Sequence, residues 1–238
     1  AVALVGGGSP PRPGEISLAH RGVLFLDEAP ELPRAALEAL REPLETGRIT
    51  ISRAARQAQF PARFQLVAAM NPCRCGHALD PGYACRRQPN ERCVAQYQAR
   101  LSGPLIDRID LHIEVPAVSA ADLILPAPRE GSREVAARVA AARDIQRRRY
   151  DAMGLPGIAS NAAAPGHVIE DAARLDGPAQ ALVREAAERM ALSARGFHRV
   201  LKLARTIADL DGAGAVGRPH LAEALAYRAE AGARSRAA

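Results

Sequence analysis

The feature that most constrains the fold is a short apolar run that ends in two acidic residues. Residues 22–28 read Gly-Val-Leu-Phe-Leu-Asp-Glu, so four consecutive apolar side chains lead directly into Asp27 and Glu28. A continuous apolar run of this length is typical of a strand that is buried on both faces of a parallel sheet. The run therefore predicts an α/β domain with two carboxylates at the edge of its sheet.

An apolar strand that ends in Asp-Glu has the pattern of a Walker B motif. The strand carries Asp27 to the sheet edge, where its carboxylate can hold a Mg²⁺ ion that bridges two phosphates. The adjacent Glu28 can orient or deprotonate the attacking water. The alternative is a buried strand that ends in two solvated acids, because apolar runs followed by acids are common in proteins.

Two later segments supply further candidates for the same site. Residues 64–69 are predicted to form a second buried strand, and Asn71 follows it, where a polar side chain can position the same water as sensor 1. The alternative for Asn71 is a turn residue. Arg108 lies in Leu-Ile-Asp-Arg-Ile-Asp and can stabilise charge on a γ-phosphate as an arginine finger. The alternative for Arg108 is a surface salt bridge with Asp107 or Asp110.

Composition divides the chain into an α/β half and a helical half. A stretch that contains three prolines and a glycine separates them, which predicts a core at residues 1–118, a linker at 119–132 and a helical domain at 133–238. In the helical half, apolar residues recur at helical spacing in four segments, around residues 135–145, 182–192, 200–210 and 221–227.

Apolar periodicity predicts four more elements within the first half. Leucines at helical spacing predict a helix over residues 33–45, and a further helix is expected over 94–101. Apolar residues around a polar centre predict a β-hairpin over residues 48–60. Residues 111–115 are predicted to form a third strand of the sheet.

The four cysteines lie within 21 residues, at Cys73, Cys75, Cys85 and Cys93. Such clustering indicates a metal site rather than disulfides in a cytoplasmic protein. Four thiolates can close a tetrahedral Zn²⁺ site, and this zinc would be structural because four protein ligands leave no open position. The spacing between the first two cysteines is tighter than usual, and His77 could replace one sulfur. The alternative is reduced thiols without a metal.

The charge distribution indicates an anionic partner for one segment. The formal net charge is +6, and no acidic residue lies between Glu45 and Asp80, a stretch that contains five arginines. A hairpin that carries Arg53 and Arg56 would contact DNA phosphates without reading the base sequence. The alternative is that these arginines are only solvated. The run of three arginines at residues 147–149 is interpreted as a solvated helix end.

Several motifs together resemble the magnesium-chelatase-like AAA+ ATPases of the ComM/YifB family. The resemblance rests on residues 6–28, 68–73, 102–110 and 193–210, which occur in that order at suitable separations. It implies two Walker B residues, a sensor 1 residue and an arginine finger, which are, in chain order, Asp27, Glu28, Asn71 and Arg108.

The resemblance also assigns residues outside that set. Arg195 corresponds to sensor 2, where an arginine contacts the γ-phosphate at the start of a lid helix, and Arg199 is the alternative. Residues 14–21 resemble the returning arm of an insert shared with MCM helicases. Residues 48–60 resemble the hairpin before sensor 1, which points into the central channel of the ring in that branch.

The resemblance implies ATP and Mg²⁺ as cofactors and a homo-oligomeric ring, expected to be a hexamer. Its expected activity is ATP hydrolysis that moves the ring along DNA, as a helicase-like motor for branch migration in recombination and natural transformation. The alternatives are a magnesium-chelatase-type ATPase that remodels a protein or metal-insertion partner, and a non-enzymatic interaction module held by zinc.

One departure from the family pattern concerns phosphate binding. The sequence contains no G-x-x-x-x-G-K-[ST] motif, and its only lysine is Lys202. In the family that loop precedes the matched residues, as does an N-terminal Lon-protease-like domain. The chain alone is therefore predicted not to hydrolyse ATP. It has no run of 18 apolar residues, and a cytoplasmic location without membrane contact is expected.

Overall fold

The computed structural model describes residues 2–53, 56–78, 90–116, 118, 124–126 and 130–235. The chain divides into two compact units, residues 1–109 and residues 110–233. The first unit combines strands with short helices and the second is helical, which confirms the predicted α/β core and all-α domain. Much of the predicted linker at 119–132 lies outside the described residues, so its limits stay predictions.

Within the residues that the structure describes, the first unit contains three pairs of strands. Two pairs are antiparallel and one is parallel. The predicted hairpin over residues 48–60 is confirmed, and a strand forms within residues 64–69. The prediction that this second strand is buried is wrong, because none of its four residues is buried. The strands are β1 (Gly6–Gly7), which pairs with β2 (Arg12–Pro13), β3 (Val23–Leu26), which pairs with β6 (Gln65–Ala68), and β4 (Arg48–Arg53), which pairs with β5 (Arg56–Pro61).

The parallel pair positions the candidate site. β3 runs beside β6 in continuous register, and its side chains alternate between two environments. Leu24 and Leu26 are buried in the core, whereas Val23 and Phe25 are 60% and 59% exposed. The prediction that this strand is buried on both faces is therefore wrong. Within the described residues the sheet has two strands, and the core packs against one of its faces.

Short helices cover the buried face of this sheet. The single helix predicted over residues 33–45 is wrong, because two helices form there with a break at Ala39 and Leu40. Pro43 has no N–H to donate to the carbonyl of Ala39, and its ring crowds that turn. Leu37 and Leu40 are nevertheless buried, as their spacing requires. The helices are α1 (Val2–Val5), α2 (Glu15–Leu18), α3 (Arg34–Glu38), α4 (Arg41–Thr46), α5 (Asn90–Gln98) and α6 (Gly103–Ile106).

The second unit is built around a central helix whose buried side chains include Val200, Leu201 and Ala204. The four predicted helices are confirmed, and one short helix between them was missed. Ser193 and Asp176 cap two of them, since each side chain accepts a hydrogen bond from a backbone N–H of the first turn. The helices are α7 (Ser132–Ala152), α8 (Gly166–Ala173), α9 (Gly177–Arg189), α10 (Ala194–Leu210) and α11 (Arg218–Ser235).

Residues 111–115 do not form the predicted third strand. They belong to the second unit, where no described strand is available to pair with them. His112 instead donates its backbone N–H to the carbonyl of Tyr227 on α11, at 3.2 Å. Ile113 and Val115 are 69% and 83% exposed, so the apolar alternation that suggested a strand has no sheet to pack on.

Candidate functional site

The carboxyl ends of β3 and β6 bring three of the predicted site residues to one edge of the sheet. Hydrogen bonding continues beyond the strands, because Ala69 donates to the carbonyl of Leu26 at 2.9 Å and accepts from Ala29 at 3.0 Å. Residues 27–28 therefore lie beside the segment that leads to Asn71. This is the juxtaposition that two parallel strands with polar ends produce.

Glu28 adopts an unusual backbone conformation at this edge. Its φ of 46° and ψ of 42° lie in the left-handed region, which costs a non-glycine residue about 1–2 kcal/mol. The Glu28 N–H donates to Oδ1 of Asp27 at 2.9 Å, and both side chains are exposed. Ala29 and Pro30 are buried directly after it. Strain of this kind clusters at functional sites, where the surrounding structure holds it in place.

Helix α5 and the turn after it supply two residues that the sequence patterns did not single out. Arg100 lies just beyond the helix and forms an ion pair with Glu31 at 2.8 Å. Glu31 follows Glu28 by three residues. Tyr97 is buried, and this burial raises the pKa of its hydroxyl, with further increases from the charges of Glu31 and Glu28. The hydroxyl of Tyr97 therefore stays protonated near the acidic end of β3. Only the four-residue spacing from Cys93 to Tyr97 could have indicated that both side chains share a helix face.

Arg108 is held within the first unit rather than extended from it. Its guanidinium pairs with Glu45 at 2.5 Å and donates to the carbonyl of Pro104 at 2.6 Å. The side chain is only 10% exposed. This carboxylate lies 63 residues away from Arg108 in the sequence.

The two candidates for sensor 2 differ in their surroundings within the second unit. Arg199 pairs with Asp110 at 2.5 Å, and its side chain is 17% exposed. Arg195 is exposed in the first turn of α10, after the capping residue Ser193. A cation at a helix N-terminus opposes the helix dipole by about 0.3–1 kcal/mol, so this position is not favoured for stability.

Three of the four cysteines form a compact cluster. The Sγ atoms of Cys73, Cys75 and Cys93 all lie within 4.8 Å of one another, and Cys73 and Cys93 are buried. Zn–S bonds of ~2.3 Å would place tetrahedral ligands about 3.8 Å apart. The Sγ atoms of Cys73 and Cys75 lie 3.0 Å apart, so these two thiols would have to separate slightly to bind a zinc ion together with Cys93. Cys85, the fourth predicted ligand, lies outside the described residues, and His77 is exposed in the same loop.

The predicted DNA-contacting residues lie at the tip of the β4–β5 hairpin. Arg53 and Arg56 form its last register pair, and residues 54–55 between them lie outside the described part of the chain. Ile49 and Ile51 anchor the base of the hairpin in the core. The hairpin therefore carries its two arginines away from its apolar base.

The arginine run at residues 147–149 is not uniformly solvated, so that interpretation is wrong for one of its members. Arg147 pairs with Asp144 on the helix surface. Arg149 points into the second unit, where its guanidinium pairs with the buried Asp209 and its side chain is only 15% exposed. The sequence contains no local sign of this contact, because the partner lies 60 residues away.

Comparisons with known proteins cover nearly the whole chain. The family model described as magnesium chelatase, subunit ChlI, matches residues 1–123, and the model of the ChlI C-terminal part matches residues 129–228. Competence protein ComM of Haemophilus influenzae is 48% identical over 228 residues, which are 95% of this chain and 43% of that protein. The uncharacterized protein YifB of Escherichia coli is 44% identical over 229 residues, 96% of this chain and 43% of that protein.

A third relative matches only locally. The maternal DNA replication licensing factor mcm3 of Xenopus laevis is 41% identical over 59 residues, which are 25% of this chain and 7% of that protein. The chain spans less than half the length of ComM and YifB. The predicted resemblance to these two proteins is confirmed. None of the described helices is long and apolar enough to cross a membrane.

Proposed function

The chain belongs to the magnesium chelatase ChlI family, and from this membership we propose that it is part of a ring-forming AAA+ ATPase that acts on DNA. The observation that carries the proposal is the shared sheet edge at which Asp27 and Glu28 lie beside the segment that leads to Asn71. Two acids and a polar residue at the ends of adjacent parallel strands can bind Mg²⁺ and position a water for phosphoryl transfer.

Each residue at this edge has a separate role in the proposed reaction. Asp27 would hold a Mg²⁺ ion bound with ATP, and this ion would supply charge neutralisation for the phosphates. Glu28 would orient the attacking water and accept its proton, and Asn71 would hold that water in position. The left-handed backbone of Glu28 aims its exposed carboxylate away from the core, where the neighbouring Ala29 is buried.

Arginines complete the proposed ATPase machinery. Arg108 is proposed as the arginine finger and Arg195 as sensor 2, because a guanidinium stabilises charge that develops during transfer. The contact with Glu45 holds Arg108 in one orientation, which lowers the entropy lost when it binds a phosphate. Of the two candidates in α10 we propose Arg195, because it lies exposed in the first turn of the helix, directly after the capping residue Ser193.

The sequence contains no P-loop motif, so we propose that these 238 residues alone do not hydrolyse ATP. The proposed activity belongs to a full-length protein with such a loop, assembled as a hexameric ring in the cytoplasm. Phosphate release measured with the isolated chain tests this point. Release that depends on Glu28 would contradict it.

Action on DNA is supported by the hairpin and by the local match to a replication licensing factor. The arginine-bearing tip would contact the phosphate backbone in the ring channel, which suits a branch-migration or helicase motor that is indifferent to base sequence. The aromatic content of 3% leaves few side chains on which bases could stack.

The test is the ATPase rate of the full-length protein with and without branched DNA, at about 50 and 200 mM salt. We expect DNA to stimulate hydrolysis less at the higher salt concentration. We expect the double variant Arg53→Gln with Arg56→Gln to lose the stimulation by DNA and to keep its basal rate of hydrolysis. Robust hydrolysis that is indifferent to DNA would support the alternative, a chelatase-type ATPase that remodels a protein or metal-insertion partner, as the family description suggests.

The thiol cluster supports a structural Zn²⁺ ion in addition to the ATPase site. Cys73, Cys75 and Cys93 would bind it, with Cys85 or His77 as the fourth ligand. The ion would join the loop after β6 to α5 and so stabilise a segment with few apolar contacts of its own. We expect one zinc per chain by elemental analysis, lost in Cys73→Ser with Cys93→Ser. Zinc binding without any nucleotide or DNA binding would favour an interaction module instead.

A further inference from the structure

A cleft in the second unit gathers three arginines that the proposed ATPase chemistry does not use. It has a volume of about 430 Å³ and lies between the C-terminal half of α7, the end of α8 and the loop after α10. Arg148, Arg149 and Arg174 line it, together with the apolar side chains of Ile145 and Met153. None of the seven lining residues that the structure describes is acidic. A concave surface lined by one sign of charge concentrates ions of the opposite sign.

The floor of this cleft remains positive although Arg149 is paired. Asp209 accepts hydrogen bonds from Arg149 and also from Arg205, at 2.9 and 3.1 Å. Two guanidiniums therefore share one carboxylate, and the side chains of Arg205 and Asp209 are fully buried. The group carries one uncompensated positive charge in surroundings where solvent screens it poorly.

Arg174 reaches the cleft from a strained backbone. It ends α8 with a φ of 48°, a left-handed conformation in which glycine is the usual residue. The N–H of Val216 donates to the carbonyl of Arg174 at 3.2 Å and holds it in place. Its side chain is exposed, so burial does not explain why an arginine occupies this position. An arginine placed here at a cost in backbone energy is consistent with a ligand contact.

We propose that this cleft binds the phosphate group of a nucleotide unit, carried either on a nucleic-acid strand or on a free nucleotide. Guanidiniums bind phosphate oxygens through paired N–H donors, and Arg148 and Arg174 present such donors at the rim. The apolar wall of Ile145 and Met153 suits the sugar or the base. Because all these residues lie in the second unit, the proposal stands or fails separately from the ATPase.

The experiment is fluorescence anisotropy of a labelled single-stranded oligonucleotide with the whole 238-residue chain. All variants carry Arg53→Gln and Arg56→Gln, so that the hairpin does not contribute. We expect Arg148→Gln with Arg174→Gln to weaken binding by about tenfold or more and to reduce the salt slope by about two. The control is Arg147→Gln, which removes one positive charge from the same run outside the cleft and should change affinity less than about twofold, whereas Arg148→Gln alone should weaken binding more than that. Equal affinity of the double variant and the control would overturn the proposal.

A competition experiment identifies the source of the phosphate. Displacement of the oligonucleotide by dTMP would indicate a free nucleotide, whereas displacement by an unlabelled strand alone would indicate the nucleic-acid backbone. If inorganic phosphate displaces the oligonucleotide as well as dTMP and the unlabelled strand do, the cleft binds an adventitious ion only. That result would contradict the proposal.

Arg174→Gly separates a ligand role from a structural one. Glycine relieves the left-handed conformation, so we expect the midpoint of thermal unfolding to rise by a few degrees, on the order of 2–4 °C. Oligonucleotide binding should weaken at the same time. A variant that is more stable and binds as tightly as the parent chain would exclude Arg174 as a phosphate ligand and overturn the proposed site.

Discussion

The two units place their charged residues in opposite surroundings. In the first unit, Asp27 and Glu28 are exposed at a sheet edge, and water solvates their carboxylates. In the second unit, Arg205 and Asp209 are buried, Asp209 pairs with both Arg205 and Arg149, and backbone carbonyls accept hydrogen bonds from Arg205. Exposed charge can be changed with little effect on folding, whereas buried charge is part of the folded structure. Substitutions should therefore affect chemistry in the first unit and stability in the second.

Of the changes that this contrast predicts, replacement of Asp209 should have the largest effect on the free energy of unfolding. Asp209→Ala leaves two guanidiniums without their shared carboxylate, which should destabilise the chain by about 3–5 kcal/mol in urea unfolding. The matched control is Asp144→Ala, which breaks the exposed pair with Arg147 and should cost about 0–1 kcal/mol. Equal losses for the two variants would mean that burial of the network does not matter.

The strained backbone of Glu28 predicts a smaller effect of the opposite sign. Glu28→Gly removes the left-handed penalty and should stabilise the chain by about 1 kcal/mol in urea unfolding, although it removes the proposed catalytic carboxylate. The same change at Glu188, an exposed position within α9, should destabilise the chain by about 1 kcal/mol. A loss of stability for Glu28→Gly would show that its carboxylate or backbone serves the fold instead.

The smallest expected effect is a decrease in the free energy of unfolding at alkaline pH that depends on Tyr150. Burial raises the pKa of Tyr150, whose hydroxyl donates to Asn161 at 2.9 Å and faces Arg149, Asp209 and Arg205. The folded chain therefore retains a proton that the unfolded chain releases near pH 10. The resulting stabilisation is complete below pH 10 and is lost as the pH rises through the pKa of the folded state.

Replacement of the Tyr150 hydroxyl tests the predicted direction of this pH dependence. In Tyr150→Phe, the free energy of unfolding should fall less steeply between about pH 9.5 and 11.5 than in the parent chain. Urea unfolding at several pH values measures the two slopes. Identical slopes would show that Tyr150 titrates alike in the folded and unfolded states.

What the sequence could predict depends on how far apart the interacting residues lie. The strand at residues 22–26 and the acids after it form a local pattern, so that edge of the sheet was predictable. The contact of Arg108 with Glu45 joins residues 63 positions apart, and no pattern around Arg108 indicates it. Arg149 in a run of three arginines looked solvated for the same reason, because its partner Asp209 is distant in sequence.

Two other wrong predictions have different causes. The prediction of one helix over residues 33–45 did not take account of Pro43. This residue has no N–H to donate, which interrupts the hydrogen bonding of that turn. The strand expected over residues 111–115 rested on apolar alternation alone. Alternation describes the side chains of a strand but not whether a neighbouring strand is present to pair with it. That information depends on which unit the segment joins.

The central claim is that the edge formed by β3 and β6 is the catalytic edge of an ATPase. Its most direct test is the steady-state rate of phosphate release by the full-length protein with Glu28→Gln, beside Glu188→Gln as the matched control. We predict that Glu28→Gln lowers the rate by about a hundredfold or more, because the proposed base is lost, and that Glu188→Gln leaves it unchanged. Hydrolysis at the parent rate with Glu28→Gln would contradict the account.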